Sequence, residues 1–277
     1  MRLGAPLFQP YDAPAAWVAA LRAKGYGAAY CPVKADADLA VIAAYRQAAQ
    51  AAGIVIAEVG AWSNPLSPDP VVRAAALDKC KASLLLAERI GARCCVNITG
   101  SRGEKWDGPH PADLTEETFA MIVATTREII DAVQPRTAVY ALETMPWMYP
   151  DSVESYQRLL KAIDRPGCGV HFDPVNLINS PQRYFRNGDL IRECVAILGP
   201  QMRSVHVKDI QLAHRLTVHL DEARPGTGGL DLHTLLRELN RLDPALPIML
   251  EHLPNETEYD LAAAHVRAVA QKEGILL

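Results

Sequence analysis

The sequence predicts one (β/α)8 barrel, and three observations carry that prediction: the length, the alternation of apolar patterning, and the position of the proline-rich loops. At 277 residues the chain is close to the roughly 250 residues that such a barrel occupies. Eight short apolar runs rich in Val, Ile and Ala alternate with longer stretches of helical periodicity, the pattern of βα units around a parallel sheet. Proline-rich stretches at 64–70 and 108–111 follow the third and fourth runs. They read as long βα loops at the end of the barrel where active sites are built. An open doubly wound sheet uses the same alternation, but the glycine-rich dinucleotide turn is missing after the first run. No low-complexity linker divides the chain, so residues 1–277 read as a single TIM-barrel catalytic domain.

The elements follow in order. A strand at 2–8 leads to a helix at 14–24, and a strand at 28–33 to a helix at 38–52. Gly25 and Gly53 stand where these helices must stop, because glycine takes the left-handed conformation that closes a helix. The third unit pairs a strand at 54–60 with a helix at 70–90, ended by Gly91. In the fourth, a strand at 94–99 precedes a helix at 116–133; in the fifth, a strand at 138–143 precedes one at 153–163. Thr115 and the pair Asp151-Ser152 stand just ahead of these two helices, supplying oxygens for their unpaired first N–H groups. Strands at 169–173, 203–209 and 247–253, with helices at 190–198, 232–241 and 259–272, complete the set. The Ala-rich apolar stripes of the helices would cover the outside of the barrel.

Composition narrows the partners. Apolar residues make up 49%, charged residues 22%, and the formal net charge is −4. Disorder and a dedicated polyanion surface are therefore not expected, and nucleic acid is a poor candidate partner. The N-terminus lacks the features of a signal peptide, and no apolar run approaches the roughly 18 residues of a membrane span. The six cysteines form no CxxC pair, and they read as reduced, buried thiols of a cytoplasmic protein. Homo-oligomerisation is left open.

Acidic and imidazole residues sit at four successive strand ends: Glu143, Asp173, His206 and Glu251. Any one of them alone would more often be a helix cap or a solvated loop residue. The runs Ala-Leu-Glu143-Thr, Gly-Val-His-Phe-Asp173-Pro, Ser-Val-His206-Val-Lys-Asp and Ile-Met-Leu-Glu251-His each deliver a polar group after buried apolar residues, and adjacent strand ends converge. Three carboxylates and one imidazole suit Mn2+ first, with Mg2+, Co2+ and Zn2+ as other ions, and the lack of thiolate argues against structural zinc. A bound cation also explains how three carboxylates can share one place.

These runs, from Ala138 to His252, together with the Pro-Gly-Thr-Gly turn at 225–228, resemble the xylose isomerase-like superfamily of sugar isomerases and epimerases, which includes tagatose 3-epimerase, hydroxypyruvate isomerase and inosose dehydratase relatives. The resemblance implies one divalent cation on Glu143, Asp173, His206 and Glu251, with Glu143 and Glu251 as general acid and base around a C–H next to a carbonyl that the cation holds. Many epimerases of the group carry a histidine three residues after the metal-binding aspartate, where this chain has Asn176. His171, two residues before Asp173, shares its inward face by strand alternation and could either supply the missing function or be a satisfied buried histidine.

Further candidates for the mouth of the barrel are Glu58, Trp62, Asn97, Trp147, Lys208, Arg224 and His252. Lys208, two residues after His206, ranks first as a substrate-binding group, with a salt bridge to a carboxylate as the ordinary alternative. The function expected is isomerisation or epimerisation of a small sugar. A metal-dependent lyase or dehydratase acting on a keto sugar or inosose is the runner-up, since both begin by removing the same proton. The endonuclease IV branch of the same fold fits poorly: it needs a larger His and Asp set and a basic surface.

Overall fold

The computed structural model describes Met1–Leu277. Strands β1 (Arg2–Gly4), β2 (Ala28–Tyr30), β3 (Val55–Gly60), β4 (Cys94–Asn97), β5 (Val139–Glu143), β6 (Cys168–Phe172) and β7 (Met202–Val207) come first along the chain. An antiparallel hairpin, β8 (Asp209–Leu212) and β9 (Leu220–Ala223), precedes the last strand, β10 (Pro247–Leu250). Apart from the hairpin, the strands form one parallel sheet in the order β1-β10-β7-β6-β5-β4-β3-β2. The two end strands meet where the Gly27 N–H donates to Leu3 O at 3.0 Å, so the sheet is a nearly closed barrel. Gly4 permits that approach: a Cβ there would lie 2.5 Å from Ala28 O and 2.7 Å from Met249 Sδ.

Helices α1 (Pro14–Ala23), α2 (Leu39–Ala52), α3 (Pro70–Ile90), α4 (Glu116–Val133) and α5 (Val153–Ile163) follow the first five strands. Then come α6 (Pro181–Phe185), α7 (Asn187–Leu198), α8 (Leu232–Leu239) and α9 (Glu256–Lys272). Local signals start and stop them as expected. Gly53 and Gly91 close α2 and α3 in the left-handed conformation, while the Thr115 and Ser152 hydroxyls accept from Thr118 N and Ser155 N at the starts of α4 and α5.

The differences from the expected elements lie at the C-terminal ends of the strands. β1 stops at Gly4 and not at 8, because Pro6 has no N–H to continue a ladder. The seventh run breaks at Lys208, and Asp209 starts the hairpin. Asp209 also accepts from Gly226 N at 2.9 Å and Gly228 N at 3.0 Å, which pins the Pro-Gly-Thr-Gly turn. Gly226 there has φ +94°, open to glycine at little cost. Helix α9 starts at Glu256, earlier than expected, because Asn255 accepts from Glu258 N at 3.1 Å. Ser180 caps α6, which had no place in the expected order.

Packing ties this framework to the strand ends. Tyr156 of α5 is wholly buried, and its hydroxyl donates to Leu142 O of β5 and lies 3.1 Å from Gly169 O of β6. These are the two strands that deliver Glu143 and Asp173. All six cysteines are free thiols, with Cys31 and Cys168 part-exposed and the other four buried.

Candidate metal centre

Side chains alternate across a strand, so Gly169, His171 and Asp173 share one face, as do Ser204, His206 and Lys208. That face is the barrel interior. At its C-terminal end β5, β6, β7 and β10 bring Glu143, Asp173, His206 and Glu251 together: one ligand atom from each lies within 4.8 Å of the others, and all four residues are buried. His206 Nδ1 is 3.1 Å from Glu143 Oε1 and 2.8 Å from Glu251 Oε2. The Lys208 ammonium lies 2.8 Å from Asp173 Oδ2, 2.7 Å from Glu251 Oε1 and 2.6 Å from Glu222 Oε1 of the hairpin.

Loop geometry fixes Asp173. Its Oδ1 accepts from Val175 N at 2.9 Å and Asn176 N at 3.3 Å, and its backbone is held on both sides by the Thr144 hydroxyl. Oδ2 is left over. Asp173 Oδ2 and Glu251 Oε1 are both buried without a hydrogen bond, because the nearby Lys208 provides charge but not an aligned donor. Three buried carboxylates gathered with an imidazole, one ligand atom from each within 4.8 Å of the others, fit a divalent cation by the chemistry of the donor set.

The charges respond to this crowding. Burial works against a charged His206, but Glu251, Glu58 and Glu143 together hold its pKa well above the usual imidazole value. Burial likewise opposes Lys208, and Asp173 and Glu251 overcome it. Glu251 stays ionised well below its ordinary value, since His206 and Lys208 outweigh its burial. Asp173, wholly buried and flanked by Glu251 and Glu143, is pushed up to about 8 despite Lys208. His171, buried and 4.1 Å ring to ring from His206, is driven down to about 4.

A cavity of about 450 Å3 opens above this cluster. Glu143, Asn176, Lys208, Glu222, Glu251 and His252 line one part of it, and Trp62, Ile98, Trp106, Met145 and Trp147 another. Asn176 donates to Thr144 O at 3.0 Å and to Glu143 Oε1 at 3.4 Å, so it props up a candidate ligand.

Three of the expected mouth residues sit elsewhere, and His171 takes the buried alternative. Glu58 is buried beneath His206, with Oε1 at 3.1 Å from His206 Nε2 and Oε2 accepting from the Ser204 hydroxyl at 2.8 Å. His171 is wholly buried behind His206, and neither ring nitrogen has a hydrogen-bond partner. With Glu58 and His206 it makes a second buried cluster, where the sequence suggested one strongly placed imidazole. Asn97 is wholly buried and holds the Ser63 turn through its amide, accepting from Ser63 N and donating to Ser63 O, both at 3.2 Å. Arg224 is paired with Glu258 of α9 at 2.8 Å, outside the cavity lining.

Trp106, Met145, Ile98 and Glu222 were not anticipated. For Glu222 the clue was absent, since only the hairpin register aims it at Lys208. For Trp106 a long loop after the fourth strand was the available signal.

The model of the xylose isomerase-like TIM barrel family matches residues 18–269. The chain belongs to this family. Solved structures share its fold. D-psicose 3-epimerase from Clostridium cellulolyticum, solved with D-tagatose, aligns with a TM-score of 0.70 over 100% of both chains at 14% identity. A xylose isomerase-like TIM barrel protein from Mycobacterium smegmatis, in complex with magnesium, aligns at 0.67 over 94% of this chain and 89% of that one, at 15% identity. The probable 3-DHS dehydratase of petrobactin synthesis from Bacillus anthracis aligns at 0.69 over 97% and 98%, at 14% identity. At such identities the likeness shows the fold. No curated protein matches by sequence. No helix is long and apolar enough to cross a membrane.

Proposed function

We propose that this xylose isomerase-like barrel is a sugar isomerase or epimerase that works with one divalent cation, Mn2+ foremost, held by Glu143, Asp173, His206 and Glu251. The observation that carries the reading is the buried cluster of Glu143, Asp173, His206 and Glu251, one ligand atom from each within 4.8 Å of the others, beneath a cavity of sugar-accepting size. The magnesium-bound mycobacterial relative supports the cation, and the psicose epimerase supports the substrate class.

When bound, a cation here supplies positive charge that draws electron density from a neighbouring carbonyl and acidifies the adjacent C–H. Glu143 and Glu251 reach the cavity from β5 and β10. One takes the carbon-bound proton and the other returns a proton to the opposite face. Lys208 lines the cavity with its ammonium charged, and its attraction for a substrate oxygen is shared with Asp173, Glu222 and Glu251. Trp62, whose ring centroid lies 6.3 Å from that of His206, and Trp147 cover the apolar face of the sugar and exclude water.

A lyase or dehydratase is the second reading, and Asn176 is the observation that favours it. An amide carries no proton between faces, so the position supports Glu143 without adding a second acid or base. The Bacillus anthracis neighbour accords with it.

One experiment separates them: a mass-resolved screen of ketoses and 3-keto sugars with Mn2+ in D2O. Epimerisation yields an isomer carrying solvent deuterium, and elimination yields a lighter unsaturated compound. Turnover without solvent deuterium in product or recovered substrate would overturn the proton-transfer reading.

A further inference from the structure

The cavity is divided by chemistry and by origin. Its ionisable wall, Glu143, Lys208, Glu222, Glu251 and His252, comes mostly from the strands and hairpin between β7 and β10. Its other wall comes from the loops after β3, β4 and β5 and is dominated by tryptophan. The chain has four tryptophans. Trp17 is buried in the core, and the other three, Trp62, Trp106 and Trp147, all line this cavity from three separate loops. They are 36%, 37% and 39% exposed, so none is a core anchor that merely touches the opening. The Trp147 indole N–H donates to Asp107 O at 3.0 Å, which ties the loop that carries Trp106 to the loop that carries Trp147.

A free monosaccharide does not use such a wall fully. Its reacting carbons must reach Glu143 and Glu251, and a hexose displaces on the order of 200 Å3, taking water at about 30 Å3 each as the scale. The cavity holds about 450 Å3, so space of comparable size remains beside the tryptophans. A second sugar ring there would carry several hydroxyls needing partners, and Asp107 is the one charged side chain on that wall. A flat apolar ring needs no such partners and stacks on indole faces.

Resting on the sugar-isomerase reading above, we infer that the substrate is a sugar carrying an aromatic substituent, an aryl glycoside or its keto derivative, with the aryl ring held by Trp106 and Trp147. The test is calorimetric titration of Mn2+-loaded protein with matched phenyl and methyl β-glycosides of glucose, galactose and mannose. For at least one pair the phenyl compound binds about tenfold tighter or better, one decade in Kd. Trp106→Ala brings that ratio toward one, while the methyl glycoside affinity, Mn2+ affinity and thermal midpoint stay as in the parent protein; Trp147→Ala also lowers the ratio, weakening the phenyl compound more than the methyl one. Equal affinities within every pair, or no binding of either member of any pair, overturn the inference. A phenyl preference lost in the tryptophan variants supports it, even if the protein takes up no Mn2+; that failure would instead sink the metal reading.

Discussion

Loading the metal-free protein with Mn2+ at pH 7 is expected to release about two protons per ion. Metal ligands bind in their deprotonated forms, so every proton that the vacant cluster holds must leave. His206 holds one, because Glu251, Glu58 and Glu143 raise its pKa well above the usual imidazole value against the effect of burial. Asp173 holds much of another, because burial lifts its pKa to about 8. The sign follows: affinity rises with pH, with a slope of about two decades per unit near neutrality, shallower above pH 8 once Asp173 has lost its proton. Calorimetric titration at fixed pH 7 in buffers of different ionisation enthalpy counts the protons directly. Asp173→Asn lowers the count by about one, since an amide has no proton to lose. Tight binding with no proton release would refute the charge assignment of the cluster, and with it the role of His206 and Asp173 as ligands that trade protons for a cation.

Three further outcomes follow from named contacts. Glu58→Gln weakens Mn2+ binding by about 10- to 100-fold, the usual cost of losing the carboxylate behind a ligating histidine, with the fold intact by circular dichroism; unchanged affinity would leave Glu58 as filler. Glu143→Gln and Glu251→Gln each abolish turnover and solvent-deuterium incorporation, and retention of both in either variant would remove that residue from proton transfer. Tyr156→Phe costs about 1–3 kcal/mol in urea unfolding, because Leu142 O and Gly169 O lose a buried donor, and a change below about 0.5 kcal/mol, the scatter of ordinary surface substitutions, would deny it that role.

Much of this architecture was legible because strand alternation and helix capping are stiff local rules. Strand alternation is a strict period of two, so once the runs at 169–173 and 203–209 were read as strands, His171 had to share a face with Asp173 and Lys208 with His206. Capping is equally local, and Thr115, Ser152, Gly53 and Gly91 act where the sequence put them. What the sequence hid depends on depth and on pairing across the chain. Inward-facing residues include both those at the mouth and those a turn lower in the barrel, and alternation alone does not rank them. Glu58 therefore looked like a rim residue but lies under His206, and His171, which alternation left open between site and core, lies there too. The hairpin β8–β9 is short and polar, with Leu220-Asp221-Glu222-Ala223 giving no apolar alternation, so Glu222 could not be matched to Lys208. Arg224 follows it directly, yet the turn sends it outward to Glu258.

The placement of Glu58 below and Lys208 above the cluster explains how the site can be built before any ion arrives. Four carboxylates, those of Glu58, Glu143, Asp173 and Glu251, are buried at this end of the barrel, and four unpaired charges there would cost far more than a domain's net stability. Each finds a local remedy. Lys208 stands against Asp173 and Glu251, His206 lies between Glu58, Glu143 and Glu251, and burial favours the protonated form of Asp173. The remedies differ in permanence. Lys208 keeps its charge in every state, whereas the protons on His206 and Asp173 can leave for solvent as a cation enters. Exchanging two protons for one divalent ion leaves the net charge of the cluster unchanged, so metal can come and go with little change in the field that the surrounding barrel must tolerate. Glu58 then matters most in the loaded state: with its carboxylate on Nε2, the tautomer that keeps its proton there leaves Nδ1, the nitrogen facing Glu143 and Glu251, free to ligate.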